Sequence, residues 1–429
     1  MAVDKNLFLY DLAVVAIMKN EEPYIKEWVD YHLLAGVDHF FIYDNEETDS
    51  QQKILQPYID SGLVTHIKYP GKARQYEAYN AAIQNYRFFC KYIAFIDADE
   101  FIVPQSDRKV TEVVDEILEN KPNAGGLGVN IYYYGSNFHK EADFSKGVLE
   151  RFTRRAPTDW TPILPNGLPG GTAHVKTVTN PRKVNFFYNP HFVNYFEGFQ
   201  AINENGGVVP TFSNNPPTVK KIAINHYVVK SREEYLSKIS RGTADAYHNI
   251  YNLEKFKTDD HNEVFDDGIL KYREKRQKKG LQTHKIDYWR VYTALLQNLA
   301  NTMSKNPPRE VFVGRLETFL TCRKVAEHLS QTVLEEKAGK FLEEAALDAV
   351  YKTLSTNISL QEVRLLIAEL PKILPRNYPV VQDIRKACMI LIPQLMNMFR
   401  VYNPNAWKEF VTLRYVVDML QNFDSYEPK

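Results

Sequence analysis

From Leu7 to Pro104, short apolar runs alternate with stretches whose apolar positions recur at helical spacing. LFLYDLAVVAIM (7–18) has the near-continuous apolar character of a strand buried on both faces. Lys19 to Pro23 forms the loop that leaves it. Ile25, Trp28, Val29, His32 and Leu33 then mark one helix face, which Ala35-Gly36 ends. A second strand is predicted over Val37–Tyr43, a helix over Gln51–Asp60, a third strand over Leu63–Tyr69 and a helix over Gln75–Phe89. A fourth strand follows in KYIAFIDADEFIVP (91–104). Such alternation implies an α/β fold with a mostly parallel sheet flanked by helices, whose ligands gather at the carboxyl edge of the strands.

The fourth strand carries the chemistry. Its β-formers Tyr92, Ile93, Phe95 and Ile96 run straight into Asp97, Asp99 and Glu100. Carboxylates this close repel one another and resist joint desolvation, so they call for a cation, and hard oxygen ligands suit Mg²⁺ or Mn²⁺. An ion held by one or two carboxylates usually completes its shell with substrate phosphates, which points to a nucleoside diphosphate donor. The competing reading is an acidic turn in which Asp99 caps the next segment. The second strand also runs out into acid, at Asp44 and Glu46. No GxGxxG follows the first strand and no GxxxxGK occurs, so neither the dinucleotide nor the P-loop fingerprint competes.

At this point the residues carry a family resemblance. LAVVAIMKNEEPYIKEWVDYHLLAGVDHFFIYDN, then Gln75, Asn80 and IAFIDADEF, resemble the front half of a GT-A (Rossmann-like) glycosyltransferase, specifically glycosyltransferase family 92 and its bacterial family 2-like relatives. The likeness continues through Tyr134-Gly135-Ser136-Asn137, GVLERF (147–152), Lys176, Pro190-His191-Phe192 and INHYVVKSREEYLSKISRG (224–242), covering residues 10 to 265. It implies that Asp97 and Asp99 hold the metal, with His226 as a third ligand. Mn²⁺ accepts imidazole, although a lone strand histidine is more often a core residue. The expected reaction moves a hexose, galactose first among them, from a UDP-sugar donor to a hydroxyl of a glycan or glycolipid acceptor, with inversion.

Around that centre, Asp44 can accept the imide hydrogen of uracil with Asn45 in support, or can simply be a turn acid. Lys72, Arg74 and Gln75, in the loop after the third strand, are placed to meet ribose or phosphate. Lys176 and Lys230 are further phosphate candidates. Inversion needs a carboxylate base, for which Glu150 in GVLERF is the first choice and Asp260 in DDHNEVFDD the second. Glu150 could instead pair with Arg154, and Asp260 could sit in an acidic surface loop. His139, His191 and Trp160 are candidate acceptor contacts. The Pro-, Gly- and Asn-rich segment from Thr153 to Asn225 is expected to form mobile acceptor loops.

Composition narrows the partners. Lys plus Arg and Asp plus Glu are equal at 53 each, so no global field recruits nucleic acid or an anionic membrane. Cys90, Cys322 and Cys388 are widely separated and odd in number, which favours a reducing compartment, and a cytoplasmic location is expected. Two domains are expected: a catalytic domain over 1–265 and an all-α domain over 266–429, where Trp289, Leu296, Leu299 and Met303 repeat at helical spacing. The basic run KYREKRQKKG (271–280) offers peripheral membrane contact, but its interspersed Glu274 favours a solvated helix. An apolar stripe of the helical part could serve a homo-oligomer. Two further functions stay open: nucleotidyl transfer by a related sheet, and a degenerate binding module whose DxD acids are salt-bridged and inaccessible.

Overall fold

The computed structural model describes residues 8, 10–87, 90–241 and 251–280. In chain order the elements begin β1 (Tyr10–Met18), α1 (Glu22–Ala35), β2 (His39–Asp44), α2 (Ser50–Asp60), β3 (Val64–Lys68), α3 (Gln75–Tyr86), β4 (Cys90–Phe95) and β5 (Glu100–Pro104). Then come α4 (Val110–Leu118), β6 (Ala124–Tyr133), α5 (Val148–Arg151), β7 (Arg154–Arg155), β8 (Val175–Thr179), β9 (Val184–Phe187), β10 (Val193–Tyr195), β11 (Gln200–Ile202), β12 (Val208–Val209) and β13 (Ile222–His226). The last are α6 (Arg232–Arg241), α7 (Leu253–Asp259), β14 (Val264–Phe265) and α8 (Gly268–Lys279).

The main sheet runs β12-β11-β6-β8-β4-β1-β2-β3, with β13 pairing both β6 and β5. β1 is parallel to β2 and β4, and β2 is parallel to β3. β8 lies antiparallel between β4 and β6, so β6 points the same way as β4; β13 is parallel to β6. The carboxyl ends of β1, β2, β3, β4, β6 and β13 therefore share one edge. This is the mixed α/β sheet with helices that the alternation implied.

β1 reads as near-continuous core because every residue but Asp11 is buried. Pro23 suits the first turn of α1, where no intrahelical N–H is needed. Gly36 ends that helix in the left-handed conformation at φ 97°, its N–H bonding the carbonyls of His32 and Leu33. α1 is pinned to β5 by polar contacts inside the core: Trp28 Nε1 donates to the Glu100 carbonyl (2.8 Å) and Tyr31 OH to that of Ile102 (2.9 Å). The strand after the DAD segment is thereby fixed from behind.

The segment from Thr153 to Asn225 departs from expectation. It is not loop throughout: β8, a buried strand, fills the middle of the main sheet. α8 also packs on the sheet domain, with Arg276 Nε donating to the Leu34 carbonyl (2.9 Å) and Tyr272 OH to that of Arg108 (2.9 Å). The expected boundary at 265/266 thus falls just ahead of a helix docked on α1. The chain divides into compact units at 1–286 and 287–429. The expected all-α domain beyond α8, with Cys322 and Cys388, lies outside the described residues.

Candidate active site

A cleft of about 880 Å³ opens at the carboxyl edge. Lys19 after β1, Asn45 after β2, Gly71 and Lys72 after β3, and Asp97 and Asp99 after β4 all line it, as do Tyr133 ending β6 and His226 ending β13. Its farther wall comes from Trp160, His174, His191, Tyr251, Lys255 and Asp259. Ring contacts order the two halves: His226 lies 5.2 Å from Tyr133, Tyr133 lies 5.4 Å from Trp160, and Trp160 lies 4.1 Å from His261.

The DAD segment is a tight turn between β4 and β5, closed by the Glu100 N–H to the Asp97 carbonyl (3.1 Å). Asp97 remains one-third exposed in the cleft; Gln75 Nε2 donates to its Oδ1 (2.9 Å) and Lys176 Nζ to its Oδ2 (2.8 Å). Asp99 is buried; Lys238 Nζ donates to its Oδ2 (2.7 Å), and its Oδ1 faces His226 Nε2 at 3.3 Å. Burial alone would raise the Asp99 carboxyl, but the Lys238 ammonium and His226 hold it well below the usual range. Glu100, fully buried, is pushed up by desolvation against the opposing Lys176 charge.

The residues expected at the site divide. Asn45, Lys72, Gln75, Asp97, Asp99 and His226 line one cleft. Asp44 does not: it is fully buried, and Gln51, His66 and Lys68 occupy its carboxylate at 2.7, 3.0 and 3.2 Å. A carboxylate so engaged has no oxygen facing a uracil, whereas Asn45, anchored by its Nδ2 to the carbonyls of Tyr69 and Gly71, does line the pocket. Arg74 lies over the Tyr69 ring and pairs with Glu77, away from the lining. Lys176 sits beneath Asp97, and Lys230 is buried over the Tyr24 ring at 4.3 Å. Both act on the acids as buried charges, apart from the cleft wall.

Both candidate bases are displaced. Glu150 is 46% exposed and pairs with Arg273 (2.7 Å) outside the cleft; its partner is neither substrate-facing nor the expected Arg154. Asp260 caps a turn, its carboxylate accepting from the Ser136 N–H (2.6 Å), Ser136 Oγ (3.0 Å) and Asn262 Nδ2 (2.8 Å). The neighbouring Asp259 is the acid that reaches the cleft, 2.9 Å from Lys255. Trp160 and His191 line the far wall, while His139 packs on Phe152. Sequence reasoning also missed Lys238 and Arg241, three residues apart near the end of α6, although their spacing on one helix face inside YLSKISRG was a usable signal.

The residues fit a divalent ion in part. Asp99 Oδ1 and His226 Nε2 stand 3.3 Å apart, close to the ~3 Å expected of adjacent ligands on an octahedral ion with bonds near 2.1 Å. Lys238 keeps to the other oxygen of Asp99. Among the described residues no three His, Cys, Asp or Glu side chains form a ready cage, so the remaining ligands would be phosphate oxygens and water.

The model of glycosyltransferase family 92 matches residues 14–258, which includes the carboxyl end of every strand of this cleft. The chain belongs to glycosyltransferase family 92. A family 92 protein of Ricinus communis is 23% identical over 239 residues, 55% of this chain and 38% of that protein. A galactan beta-1,4-galactosyltransferase of Arabidopsis thaliana is 29% identical over 105 residues, 22% of this chain and 20% of that protein. The chain thus spans well under half the length of these relatives. Of solved structures, S. aureus TarS is similar at a TM-score of 0.24 and 16% identity, over 31% of this chain and 23% of that one, too slight a likeness to argue from.

Proposed function

We propose that this family 92 chain is a metal-dependent GT-A hexosyltransferase that moves galactose from a UDP-sugar to a glycan hydroxyl with inversion. The observation that carries the reading is the convergence of Asn45, Lys72, Gln75, Asp97, Asp99 and His226 on one open cleft at the carboxyl edge. The galactan galactosyltransferase relative supports galactose as the sugar. Asp99 and His226 would hold Mn²⁺ or Mg²⁺, which would neutralise charge on the departing diphosphate. Lys19, Lys72, Lys238 and Arg241 supply cations along the same wall and orient the phosphates. Asn45, its Nδ2 already bound to two carbonyls, offers its Oδ1 to an N–H of the base. Trp160 gives an aromatic face to the acceptor sugar, and Asp259 receives the proton of the attacking hydroxyl.

A second reading has its own observation. Both DAD acids are ion-paired with lysines in the free protein, as a degenerate binding module would have them. The two part on turnover with a panel of UDP-sugars, Mn²⁺ and β-galactan oligosaccharides. The transferase reading expects release of UDP, abolished by chelation and reduced at least about 100-fold in Asp99→Asn. Release of pyrophosphate would mean nucleotidyl transfer. No turnover and no Mn²⁺-dependent affinity for any nucleotide sugar would mean a binding module.

A further inference from the structure

Two buried polar atoms beside the DAD turn have no hydrogen-bond partner among the described residues: Glu100 Oε1 and His226 Nδ1. They face each other at 3.8 Å. The cause is the register of an antiparallel pair, in which β13 sets His226 directly opposite Glu100 of β5, so both side chains stand on one face of the sheet. The other atoms of each side chain already have neighbours. Glu100 Oε2 accepts from the Asp97 N–H (2.9 Å) and faces Lys176 (3.5 Å), while His226 Nε2 faces Asp99 (3.3 Å). Glu100 is fully buried, and both facing atoms are shielded from solvent.

We propose that Glu100 is a positioning residue for His226: it accepts the Nδ1–H, fixes that tautomer and aims the Nε2 lone pair at the oxygen of Asp99 where a metal would bind. The pair stands just outside hydrogen-bond range, and closing it satisfies two buried groups at once. Metal-ligating histidines are generally held in this way by a carboxylate on the far ring nitrogen, and losing that partner typically weakens metal binding 10–100-fold. The inference rests on the metal-dependent reading above, since without an ion the Asp99 carboxylate at 3.3 Å favours Nε2–H, while the β5–β13 register supplies the partner for Nδ1.

Glu100→Gln isolates the role. The glutamine oxygen can still accept the Asp97 N–H, but its amide N–H₂ then faces Nδ1 and needs a lone pair there, which sends the proton to Nε2. In protein labelled with ¹⁵N-histidine and saturated with UDP and the diamagnetic Mg²⁺, with the His226 signal assigned by its loss in His226→Gln, the expected result is Nδ1–H in the parent and Nε2–H in Glu100→Gln. With UDP present, Mn²⁺ affinity followed by electron paramagnetic resonance should fall about 10–100-fold in a variant whose thermal melting shows it folded. An unchanged tautomer, or affinities within threefold, would overturn the proposal, because a protonated or merely structural Glu100 is mimicked by glutamine. If the parent binds no Mn²⁺, the metal reading fails and the role of Glu100 fails with it; if the parent binds Mn²⁺ and Glu100→Gln binds it equally, the role of Glu100 alone fails.

Discussion

Asp259 and Asp260 are adjacent, yet only one faces the cleft. Asp260 is spent on the turn at Ser136, and Asp259, at the end of α7, is left beside Lys255 on the far wall. If Asp259 takes the acceptor proton, Asp259→Asn should lower transfer about 10²–10⁴-fold. Donor affinity, measured by calorimetry with UDP-galactose and Mn²⁺, should stay within a few-fold of the parent, since the acid stands across Tyr133 and Trp160 from the nucleotide end. Equal loss of donor binding would instead make it part of the donor pocket. Lys238 bears on mutational design in another way. It is buried against Asp99, and removing the carboxylate entirely leaves an unpaired internal ammonium, at a cost of about 3–5 kcal/mol. Asp99→Asn keeps an oxygen for it and is the cleaner probe than Asp99→Ala.

α6 brings Lys238 and Arg241 to the cleft, and what holds α6 in place is Glu234. Arg151 donates to both of its oxygens at 2.8 and 2.9 Å, Ser231 caps it, and Tyr24 adds a third donor. Burial would raise this carboxyl, but Arg151 and Ser231 hold it at about 2, below its ordinary value. The unfolded chain therefore binds this proton first, so the pair's stabilisation is whole above about pH 4.5 and is lost as pH falls toward 2. Glu234→Gln should be less stable than the parent at pH 7, and its denaturant midpoint should fall less steeply between about pH 5 and pH 3. Parallel curves would show that α6 is anchored elsewhere. The turn that precedes α5 makes a complementary case: a Cβ on Gly135 would strike the His261 carbonyl and the Asn262 side chain. Gly135→Ala should shift the 259–262 loop, raising acceptor KM several-fold while donor affinity holds, as steady-state kinetics with varied acceptor would report.

How much was legible follows the same scale. β1, β2 and β4 could be read from the chain because they are buried almost throughout, and α1 and α2 because Pro, Gly or Ser punctuates them. β8 could not, because five residues of Val, Lys and Thr without strict alternation, between Pro- and Gly-rich stretches, look like loop; only the neighbours β4 and β6 make VKTVT a central strand. Asp44 misled for a related reason. Its place after β2 was right, but whether a carboxylate faces solvent or is consumed by His66, Lys68 and Gln51 depends on contacts distant in sequence. That Glu150 and Asp260 lie off the cleft wall could not be read either, because neither carries a local sign of its partner, Arg273 for one and Ser136 for the other.

At the scale of the sheet domain, one edge gathers the carboxyl ends of strands that point the same way, and the cleft there joins a cationic, amide-lined half to an aromatic half that Asp259 also lines. Among the described residues no helix is long and apolar enough to cross a membrane. The cations of α8 are largely committed to partners: Lys271 to Asp267, Arg273 to Glu150, Lys278 to Glu274 and Lys279 to Asp107. That pairing weakens the case for membrane contact through the basic run. The central claim concerns what the DAD turn holds, and anomalous diffraction at the manganese edge from crystals grown with Mn²⁺ and UDP addresses it directly. The expected result is one peak within about 2.3 Å of Asp99 Oδ1 and His226 Nε2, bridged to the diphosphate. A diphosphate bound to Lys238 and Arg241 with no peak beside Asp99, or manganese only elsewhere, would contradict it.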